Sequence, residues 1–548
     1  MTDLREAFKR ASMIADEKAK KTVKGGAESS MPWLNLGQIL RVHAQKHPNK
    51  IALKDWLGKA LTYQELEART NRLANGLLKM GLRKGDRVAV MLYNCAEFVE
   101  IDCAFAKAGL VVVPVCWRYV PKEVAFVVDN SDAKAVIAGE DFIDCIESIR
   151  ETFTQRHANR YISVGSKRFE GYIDYESLIA ESPDRTPDSE VDAADTWFQI
   201  YTSGTTGAPK GVVRSHQSYV AFYLINAVDF GFSEKDNGMI IMPLYHVNST
   251  FYGPLFLYIG GSLFVGRDKG FDPVELLRTF SQEKITFASL IPTHYNLILN
   301  VPEDERREFD VNSVRKLLCS SAPARGDVKK GVYKCFPNVE LFEAYGSTEA
   351  GMVTLLRPED QLRKIGSIGK ECLGTDAIKL LDQDGKDVPV GEVGELYSRG
   401  PMMFDEYYKL PDKTKASFRD GYFTARDMAR RDDEGYYYLV DRKDNMIITG
   451  GEHVYPSEVE ELLCRHPKVF DVAVIGVPDN VWGEAVKAVV ILKPGETAEP
   501  EEIIEWCRGK IAGYKKPKSV DFITPDEMPR TTTGKILHRK LREKYSKL

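Results

Sequence analysis

The chain carries the sequence Tyr201-Thr-Ser-Gly-Thr-Thr-Gly-Ala-Pro-Lys210-Gly211 directly after the apolar run Trp197-Phe-Gln-Ile200. Glycines let the backbone adopt angles that other residues avoid and bring N–H groups close to an anion, while hydroxyls and an ammonium group add donors and positive charge. The stretch therefore predicts a loop that binds the phosphates of a nucleoside triphosphate. A flexible surface loop rich in turn residues is the alternative interpretation.

This loop differs from the phosphate loop of the common NTPases, which requires G-x-x-x-x-G-K-[ST]. Here Gly204 and Gly207 are only three positions apart, Lys210 follows Pro209, and Gly211 stands where Ser or Thr is needed. The NTPase and kinase interpretations therefore lose their main support.

The composition is that of a globular protein with more than one domain. The 548 residues exceed what one hydrophobic core usually organises, and 43% of them are hydrophobic and 28% charged. The formal net charge is -5, whereas a nucleic-acid partner would require a basic balance or a basic cluster. We therefore expect no nucleic-acid partner.

Cysteine usage and the absence of apolar targeting segments indicate the cytoplasm. The nine cysteines include no C-x-x-C pair and their number is odd, which fits reduced thiols in a cytosolic protein. The first residues mix both charge signs and lack the apolar core of a secretory signal. The best apolar stretch, 251–265, is short and is broken by Pro254, Gly260 and Gly261, so no transmembrane segment is expected.

Helix-like and strand-like segments alternate from residue 34 onward. Buried strands are predicted at 87–92, 110–115, 135–137, 239–242 and 262–265, and helices at 64–80 and 274–283. This alternation predicts a large, multi-sheet α/β domain with mainly parallel strands. Short hairpin strands are expected at 391–397 and 435–440, where the pattern changes.

A smaller α+β domain is expected after residue 444. Its pattern predicts a helix at 457–465, strands at 471–476 and 486–492, a helix at 500–511 and a basic, solvated tail. The predicted division is an N-terminal extension at 1–32 with a helical pattern, a large domain at 33–443 and a small domain at 444–548.

Six motifs resemble those of the adenylate-forming superfamily, and they follow in the order of that family. The superfamily includes acyl-CoA and aryl-CoA synthetases, luciferases and the adenylation domains of peptide synthetases. The motifs are Tyr201 to Gly211, Ser320-Ser-Ala-Pro323, Glu343-Ala-Tyr-Gly-Ser-Thr-Glu349, Gly421-Tyr-Phe-Thr-Ala-Arg-Asp427, Asp441-Arg-Lys-Asp444 through Gly450-Gly-Glu-His-Val-Tyr-Pro-Ser-Glu458, and Pro529-Arg-Thr-Thr-Thr-Gly-Lys535. The resemblance covers residues 34 to 545 approximately and points to acid:CoA ligases of the 4-chlorobenzoate and medium-chain acyl types.

The resemblance implies that ATP activates a carboxylic acid. A carboxylate is a poor electrophile, because a nucleophile meets an anion and the leaving group would be oxide. Attack of the carboxylate on the α-phosphate of ATP makes AMP the leaving group, and it requires positive charge and fixed geometry where the two anions meet. A magnesium ion held by Glu349 is implied as well.

The family motifs also assign an ATP site. Thr348 is implied as a hydroxyl donor to the α-phosphate, Tyr345 as a surface for the adenosine, and Asp427, assisted by Arg442, as the acceptor for the ribose hydroxyls. The other implied ATP-binding residues are Thr202, Ser203, Gly204, Thr205, Thr206, Gly207, Lys210, Ser321, Ala322, Pro323, Glu343, Ala344 and Gly346. A solvated surface charge is the alternative for Asp427 and Arg442, and a strand followed by a helix N-terminus is the alternative for 345–349.

One motif departs from the family pattern. The family commonly has Thr-Gly before the aspartate aligned with Asp427, whereas Ala425-Arg426 stands here. The departure affects the contacts beside Asp427 and leaves Asp427 in its implied role.

The small domain is implied to rotate between two half-reactions. In the first, Lys535 bridges the carboxylate and the phosphate ester oxygen, as a compact charge on a flexible stem allows. The domain then rotates about Asp444 and brings 450–453 to the pantetheine channel of coenzyme A. The implied CoA-binding residues are Gly450, Gly451, Glu452, His453 and Trp482, the last as a platform for the adenine. A simple turn at the glycines and a core position for Trp482 are the alternatives.

The acid-binding residues are implied by the segment 243–250 and by Ile291. His246 stands at a position that often gates the acyl pocket, and Asn248 and Ser249 are polar where small or apolar residues are frequent. If they face the pocket unpaired, a polar group of the substrate would satisfy them; helix capping or backbone pairing explains them equally well. We expect a short or aromatic acid, with or without a hydroxyl group. The implied catalytic residues are Lys535, Thr348, Glu349 and His246.

The leading interpretation is an acid:CoA ligase that forms acyl-CoA, AMP and pyrophosphate, as a monomer or homodimer. The alternative enzyme loads the phosphopantetheine thiol of a carrier protein and shares the first half-reaction; the sequence contains no carrier-like segment, and Trp482 favours free CoA. A hydrolase has no support, because G-x-S-x-G and H-E-x-x-H are absent from the sequence. A non-enzymatic scaffold is disfavoured because the phosphate loop, Glu349 and Lys535 occur together.

Overall fold

Short apolar strands form the framework of the large lobe, which is the part of the chain up to Arg442. The computed structural model describes residues 34–153, 160–202, 209–320, 324–531, 534 and 536–546. The strands of the large lobe are β1 Ile51–Asp55, β2 Ala60–Thr62, β3 Arg87–Met91, β4 Val111–Pro114, β5 Ala135–Gly139, β6 Tyr161–Val164, β7 Ile173–Asp174, β8 Thr196–Thr202, β9 Lys210–Ser215, β10 Asn237–Ile240, β11 Ser262–Val265, β12 Phe287–Leu290, β13 Lys316–Cys319, β14 Glu340–Ser347, β15 Gly351–Leu356, β16 Lys370–Glu371, β17 Lys379–Leu381, β18 Val393–Tyr397, β19 Glu406–Tyr407, β20 Phe418–Arg419, β21 Tyr422–Phe423, β22 Asp427–Arg431 and β23 Tyr437–Arg442.

In the described part of the chain these strands form two large sheets, a four-stranded sheet and the two-stranded antiparallel sheet β20-β21. The first follows the order β16-β15-β14-β13-β12-β10-β11-β1-β2 and is parallel from β14 to β1. The second follows the order β19-β9-β8-β4-β3-β5-β6-β7 and is parallel from β8 to β7, with antiparallel pairs at β8, β9 and β19. The third, β17-β18-β22-β23, is antiparallel. Central strands such as β4 are buried along their whole length, as expected where helices cover both faces of a parallel sheet.

Helices cover the sheets. They are α1 Leu36–Lys46, α2 Tyr63–Lys79, α3 Ala96–Ala108, α4 Pro121–Asn130, α5 Ile143–Ile149, α6 Tyr175–Ala180, α7 His216–Phe230, α8 Val247–Tyr258, α9 Pro273–Glu283, α10 Pro292–Asn300, α11 Glu303–Arg306, α12 Gly326–Cys335 and α13 Pro411–Ala416. Helix α2 begins at Tyr63 because Thr62 and Glu65 cap it reciprocally: the Glu65 N–H donates to Thr62 Oγ1 at 3.2 Å and the Thr62 N–H to Glu65 Oε2 at 2.8 Å. None of the helices in the described ranges is both long and apolar enough to cross a bilayer.

The small lobe, which begins at Ile447, has its own sheet and core. Its strands are β24 Ile447–Thr449, β25 Glu452–Val454, β26 Val469–Asp479, β27 Gly483–Leu492 and β28 Ser519–Phe522, and its helices are α14 Pro456–Leu463, α15 Pro500–Trp506 and α16 His538–Tyr545. The sheet order is β25-β24-β27-β26, with β28 parallel to β27. Across the described residues, the sheets divide between Arg442 and Ile447, on either side of Asp444.

The predicted fold class is confirmed, and most predicted elements are present with slightly different ends. Strands predicted in the large domain correspond to β3, β4, β5, β10 and β11, and the two predicted helices to α2 and α9. The expected hairpin strands are β18 and β23, which share a sheet but have β22 between them. The predicted N-terminal extension lies outside the described residues.

Two predictions are wrong in detail. The helix predicted at 500–511 ends at Trp506. The basic tail is a helix, α16, that buries Leu541 and Tyr545 against the small-lobe sheet. The alternative considered for 345–349, a helix N-terminus, is not observed, because Glu349 lies in the turn between the antiparallel strands β14 and β15.

Helix α3 carries an unusual buried acid. Asp102 is fully buried, and neither of its carboxylate oxygens has a hydrogen-bond partner among the described residues. Burial raises the pKa of Asp102 well above its ordinary value of 3.8, since a charged carboxylate is costly to desolvate. Folding therefore requires Asp102 to retain a proton that the unfolded chain releases.

We expect Asp102→Asn to stabilise the protein increasingly as the pH rises from 5 to 8. A carboxyl group whose pKa is higher in the folded than in the unfolded state contributes stability that is complete below the unfolded pKa. This stability is lost as the pH rises toward the folded pKa, by about 1.4 kcal/mol per unit of pKa difference. The measurement is the thermal unfolding midpoint of variant and wild type at several pH values.

The contrasting variant is Asp55→Asn. Asp55 is also buried, but its carboxylate accepts the N–H groups of Leu57, Lys59 and Ala96, so this substitution should destabilise the protein. A midpoint difference for Asp102→Asn that does not depend on pH would contradict the explanation.

Candidate active site

The phosphate loop connects two paired strands at the edge of the second sheet. Strands β8 and β9 are antiparallel, and Thr202 lies opposite Lys210. The predicted loop residues Ser203, Gly204, Thr205, Thr206 and Gly207 lie outside the described residues. The pairing holds both ends of the loop together, as expected for a short loop that encloses an anion.

Lys210 and Glu349 face each other across the two large sheets. Lys210 Nζ lies 3.9 Å from Glu349 Oε1, and both side chains are largely buried. Tyr407, on β19, donates from its hydroxyl to the same Glu349 oxygen at 2.8 Å, and Lys210 Nζ lies 4.3 Å from the centre of the Tyr407 ring. These three side chains place one cation and one carboxylate at the mouth of the phosphate loop.

Burial changes the acid–base properties of this group. It lowers the pKa of Lys210, and the Glu349 carboxylate opposes this shift. Burial and the Glu349 charge raise the pKa of Tyr407, so its hydroxyl remains a donor. A triphosphate beside Lys210 would favour the charged ammonium, because opposite charge stabilises the ionised form.

Arg214 holds the turn that carries Thr348 and Glu349. This fully buried guanidinium donates to the carbonyl of Thr348 at 2.6 Å and to the carbonyl of Met402, and it lies 4.8 Å from the centre of the Phe251 ring. Arg214 follows Lys210 by four positions on β9, so both side chains point to the same face of the sheet. Strand β9 thus supplies Lys210 to the site and Arg214 to the turn that carries Thr348 and Glu349.

Three side chains form the predicted adenosine and ribose site. The Tyr345 hydroxyl donates to Asp427 Oδ2 at 2.6 Å, and Arg442 Nε lies 3.4 Å from Asp427 Oδ1. Asp427 and Arg442 are register partners on β22 and β23, and Tyr345 comes from β14 of a different sheet. Asp427 is therefore held between a ring and a guanidinium rather than being a solvated surface charge.

The other predicted nucleotide residues differ in what they offer. Ser321, Ala322 and Pro323 lie outside the described residues. Glu343 Oε2 lies 2.6 Å from Lys329 Nζ in a buried ion pair, so its carboxylate is committed to the protein. Ala344 is half-buried, and Gly346 sits at a bulge where a Cβ would lie 2.1 Å from the Gly351 carbonyl oxygen. Gly346 is therefore required by close backbone approach.

The predicted acid-binding residues already have partners in the protein. The Ser249 hydroxyl donates to the Met242 carbonyl at 2.6 Å, and the Asn248 side-chain NH₂ donates to Ser289 Oγ at 2.9 Å and Ser320 Oγ at 3.1 Å. Backbone pairing, the alternative considered from the sequence, thus explains Ser249. Burial lowers the pKa of His246 to about 4, so its imidazole is neutral at pH 7. His246 and Ile291 are half-buried and directly precede α8 and α10.

The predicted CoA residues lie together in the small lobe. Gly450 and Gly451, at φ +60° and +84°, form the two-residue turn between β24 and β25, and the Gly450 N–H donates to the Trp482 carbonyl at 2.8 Å. A Cβ on Gly450 would lie 2.7 Å from the Trp482 ring. Trp482 is 50% exposed, so it is not a core residue; Glu452 and His453 are also exposed.

Lys535 lies outside the described residues, but the chain on both sides of it is anchored. Arg530 pairs with Asp471, and His538 Nε2 lies 2.6 Å from Glu460 Oε1. An isolated bridge joins Arg530 and Ile536. Described residues on both sides of Lys535 are therefore held by contacts within the small lobe.

Comparisons with known proteins agree with this geometry. A family model described as AMP-binding enzyme matches residues 40–408, and one described as AMP-binding enzyme C-terminal domain matches residues 458–535. A long-chain-fatty-acid–CoA ligase of Mycobacterium tuberculosis is 34% identical over 515 residues, covering 93% of this chain and 99% of the relative. A feruloyl-CoA synthase of Amycolatopsis is 35% identical over 504 residues, covering 92% and 97%.

A solved structure gives the same result for the fold. The crystal structure of an anthranilate CoA ligase in complex with anthranoyl-AMP has a TM-score of 0.83 at 28% identity, covering 94% of this chain and 98% of that one. This chain belongs to the AMP-binding enzymes of the adenylate-forming superfamily and is an acid–thiol ligase of the acyl-CoA synthetase type. The family resemblance seen in the six motifs is confirmed.

Sequence reasoning missed Tyr407 and Arg214. Tyr407 belongs to Glu406-Tyr-Tyr-Lys409, which contains two adjacent tyrosines and no glycine-rich or charged motif. The alternation of Lys210, Val212 and Arg214 on one strand was the available signal for Arg214. Neither set of contacts can be read from the sequence. Arg214 lies more than a hundred residues before Thr348 and Met402. Tyr407 lies in a different sheet from the strands that flank Glu349.

We expect Tyr407→Phe to reduce carboxylate-dependent ATP/pyrophosphate exchange about tenfold and to raise the magnesium concentration needed for half-maximal rate. The variant keeps the ring beneath Lys210 and removes the hydrogen bond that orients Glu349, and loss of such an orienting partner costs about 10–100-fold in metal affinity or activity. The measurement is exchange rate against magnesium concentration.

The matched control is Tyr408→Phe. The neighbouring hydroxyl of Tyr408 donates to Asp132 at 2.7 Å, and its ring lies 4.2 Å from the Arg87 guanidinium carbon. This variant should leave the magnesium dependence unchanged. Similar losses in both variants would show that the segment tolerates no change, and they would remove the specific role of Tyr407.

Proposed function

We propose that the enzyme joins a carboxylic acid to coenzyme A in two steps at one site. In the first step the acid attacks the α-phosphate of ATP, with Thr348 and Lys535 donating to the reacting phosphate and carboxylate oxygens. Lys210 and the loop 203–207 hold the β- and γ-phosphates and release pyrophosphate. In the second step the thiol of CoA attacks the acyl carbon and AMP leaves.

The observation that carries this proposal is that Lys210 lies beside Glu349 and Tyr345 beside Asp427, although these residues come from the two large sheets and the four-stranded sheet. A cation with a carboxylate suits phosphates with a metal ion, and a ring with a second carboxylate suits an adenosine with its ribose. Arg442 is partly exposed beside Asp427, and a partly exposed ion pair adds little stability by itself, so a binding role accounts for the pair better than a structural one.

Magnesium is part of the proposal, and Glu349 is the residue that would hold it. The described residues contain no group of three or more His, Cys, Asp or Glu side chains able to hold a metal by themselves. Magnesium commonly takes one or two carboxylates and completes its shell with phosphate oxygens and water, so a single oriented carboxylate beside the phosphate loop fits. The ion would neutralise charge on the phosphates.

Rotation of the small lobe about Asp444 supports the second step. Lys535 and the Gly450-Gly451 turn belong to the same lobe, and both are assigned to one site at different times. The exposed Trp482 ring, with Lys518 Nζ 4.4 Å from its centre, offers a flat surface and a positive charge to a nucleotide that carries phosphates. This favours free CoA over a carrier protein, which presents the same thiol without that nucleotide.

The acid is proposed to be short or aromatic, with selection at Asn248. The relatives are named for long-chain fatty acids and for ferulate, so the family leaves the acid open. Ser249 no longer supports a polar substrate, because its hydroxyl is used by the Met242 carbonyl. The Asn248 NH₂ group is used as well, which leaves its side-chain oxygen as an acceptor for a hydroxyl or amine on the acid.

A cytoplasmic location and a monomeric or homodimeric state complete the proposal. All nine cysteines lie in described ranges and form no disulfide there, as expected in a reducing compartment.

Lys535→Ala should abolish carboxylate-dependent ATP/pyrophosphate exchange and largely spare CoA attack on supplied acyl-adenylate. Gly451→Trp should have the opposite effect, because the bulky ring blocks the turn assigned to pantetheine and a side chain at φ +84° is strained. The measurement is the rate of each half-reaction in both variants. Equal loss of both steps in each variant contradicts rotation of the small lobe.

A panel of carboxylic acids scored by pyrophosphate release identifies the substrate. We expect Asn248→Ala to change the order of preference within the panel by about tenfold for acids with a hydroxyl or amine, a loss of one buried hydrogen bond. Ser249→Ala should leave the order unchanged and lower stability instead. An unchanged order with Asn248→Ala would remove the basis for a polar substrate.

A further inference from the structure

The turn before Asp427 holds an arginine in a conformation that favours glycine. Arg426 has φ +65°, in the left-handed region that a Cβ disfavours. The Arg426 N–H donates to Thr424 Oγ1 at 2.8 Å, and its carbonyl accepts the Lys443 N–H at 2.8 Å. These neighbours fix the backbone, so the conformation belongs to the turn. The backbone conformation gives a reason for a glycine at position 426, but it gives no reason for an arginine.

The Arg426 side chain reaches the proposed hinge. Its Nη2 lies 2.8 Å from Oδ1 of Asp444, with the two side chains 53% and 30% exposed. The other Asp444 oxygen, Oδ2, is buried and has no hydrogen-bond partner among the described residues. Arg426 is therefore the charge partner of a carboxylate that the turn between β23 and β24 otherwise leaves poorly satisfied.

A second arginine holds the same hinge from the small lobe. Arg542, on α16, donates to the carbonyl of Asp444 at 3.0 Å and to the carbonyl of Asn445. Arg542 thus binds the main chain, whereas Arg426 binds the Asp444 side chain from the large lobe. Rotation about the backbone bonds of Asp444 would move its carboxylate relative to Arg426.

Asp444 also lies close enough to Lys210 to affect its pKa. Burial lowers the pKa of Lys210, and the Glu349 and Asp444 carboxylates oppose that shift. Arg426 therefore balances a negative charge beside the place proposed for the triphosphate. Breaking the pair would leave that charge uncompensated at the hinge.

We propose that Arg426 is a positioning residue whose ion pair with Asp444 stabilises the present arrangement of the two lobes against rotation. The inference rests on the two-step function proposed above. A partly exposed pair of this kind changes an equilibrium constant by up to about fivefold. Its effect falls on the ratio of the two half-reaction rates, because each rate depends on a different arrangement of the lobes.

The test is a double-mutant cycle measured on both half-reactions. Arg426→Asn removes the charge and retains a residue that tolerates the left-handed conformation. We expect the ratio of adenylation to thioester formation to change about threefold or more, and the KM for ATP to change by less than about twofold, because Asp427 is retained. In the Asp444→Asn background, the same substitution should change the ratio by less than about 1.5-fold.

The matched control is Lys284→Asn. Lys284 also has a positive φ, +51°, and its Nζ lies 2.9 Å from Asp310 Oδ2 on the surface of the large lobe. The control removes a cation from another residue with a left-handed backbone conformation, here at the C-terminus of α9, and should leave the ratio unchanged. Equal effects of the two Asn variants, an equal change in both half-reactions, or additivity with Asp444→Asn would each overturn the proposal.

Arg426→Gly separates the ion pair from the strain of the turn. It relieves the strain and removes the charge, so a role for the ion pair requires it to move the ratio in the same direction as Arg426→Asn. Opposite directions would assign the effect to the backbone and overturn the proposal. Failure of the two-step function is distinguishable, because Lys535→Ala and Gly451→Trp would then not separate the half-reactions, whereas failure of this inference leaves that separation intact.

Discussion

The buried guanidinium of Arg214 fixes the turn on which the remaining site is arranged. It donates to the carbonyl of Thr348, in the turn between β14 and β15, and to the carbonyl of Met402, in the segment between β18 and β19. Burial disfavours its charge and lowers its pKa, so this cation is costly to place and removing its partners would be costly as well. The Thr348 hydroxyl and the Glu349 carboxylate have defined positions because the backbone beneath them is held in this way. The side chains that we propose to bind substrate therefore depend on Arg214, a buried residue that contacts their backbone.

Electrostatics explains why one lobe is insufficient. Adenylation brings a carboxylate against a triphosphate, and the described large lobe offers Lys210 together with the opposing charge of Glu349. A further cation is required where the two anions react, and it is assigned to Lys535 in the small lobe. A cation held there permanently would obstruct the thiol that must reach the same acyl carbon. Motion of the small lobe thus follows from the charges that the two steps require, and the hinge we propose for it is Asp444, which Arg426 and Arg542 contact.

The sequence predicted the fold class and the order of elements, because local periodicity and ordered motifs carry that information; the roles of the nucleotide-site residues stay a prediction. It did not predict that Glu349 lies in a β-turn, since a hydroxyl followed by an acid favours a helix N-terminus equally well. Tyr407 and Arg214 were missed because their roles come from long-range packing. The sequence shows that Arg426 departs from the glycine common in the family. Its proposed role at the hinge could be inferred only from its φ angle and its distance to Asp444. Local patterns specify elements, whereas contacts between sheets decide what each side chain does.

The two polar residues of the segment 243–250 show the same limit of sequence patterns for substrate specificity. Asn248 and Ser249 are adjacent polar residues in the first turn of α8, yet they have different partners. The Ser249 hydroxyl donates to the Met242 carbonyl. The Asn248 NH₂ group donates to Ser289 on β12 and to Ser320, which follows β13. The two serines orient the amide, so its oxygen is the acceptor that remains. Relatives named for very different acids share this fold along nearly their whole length. We therefore attribute selection of the acid to a few oriented groups of this kind rather than to the architecture.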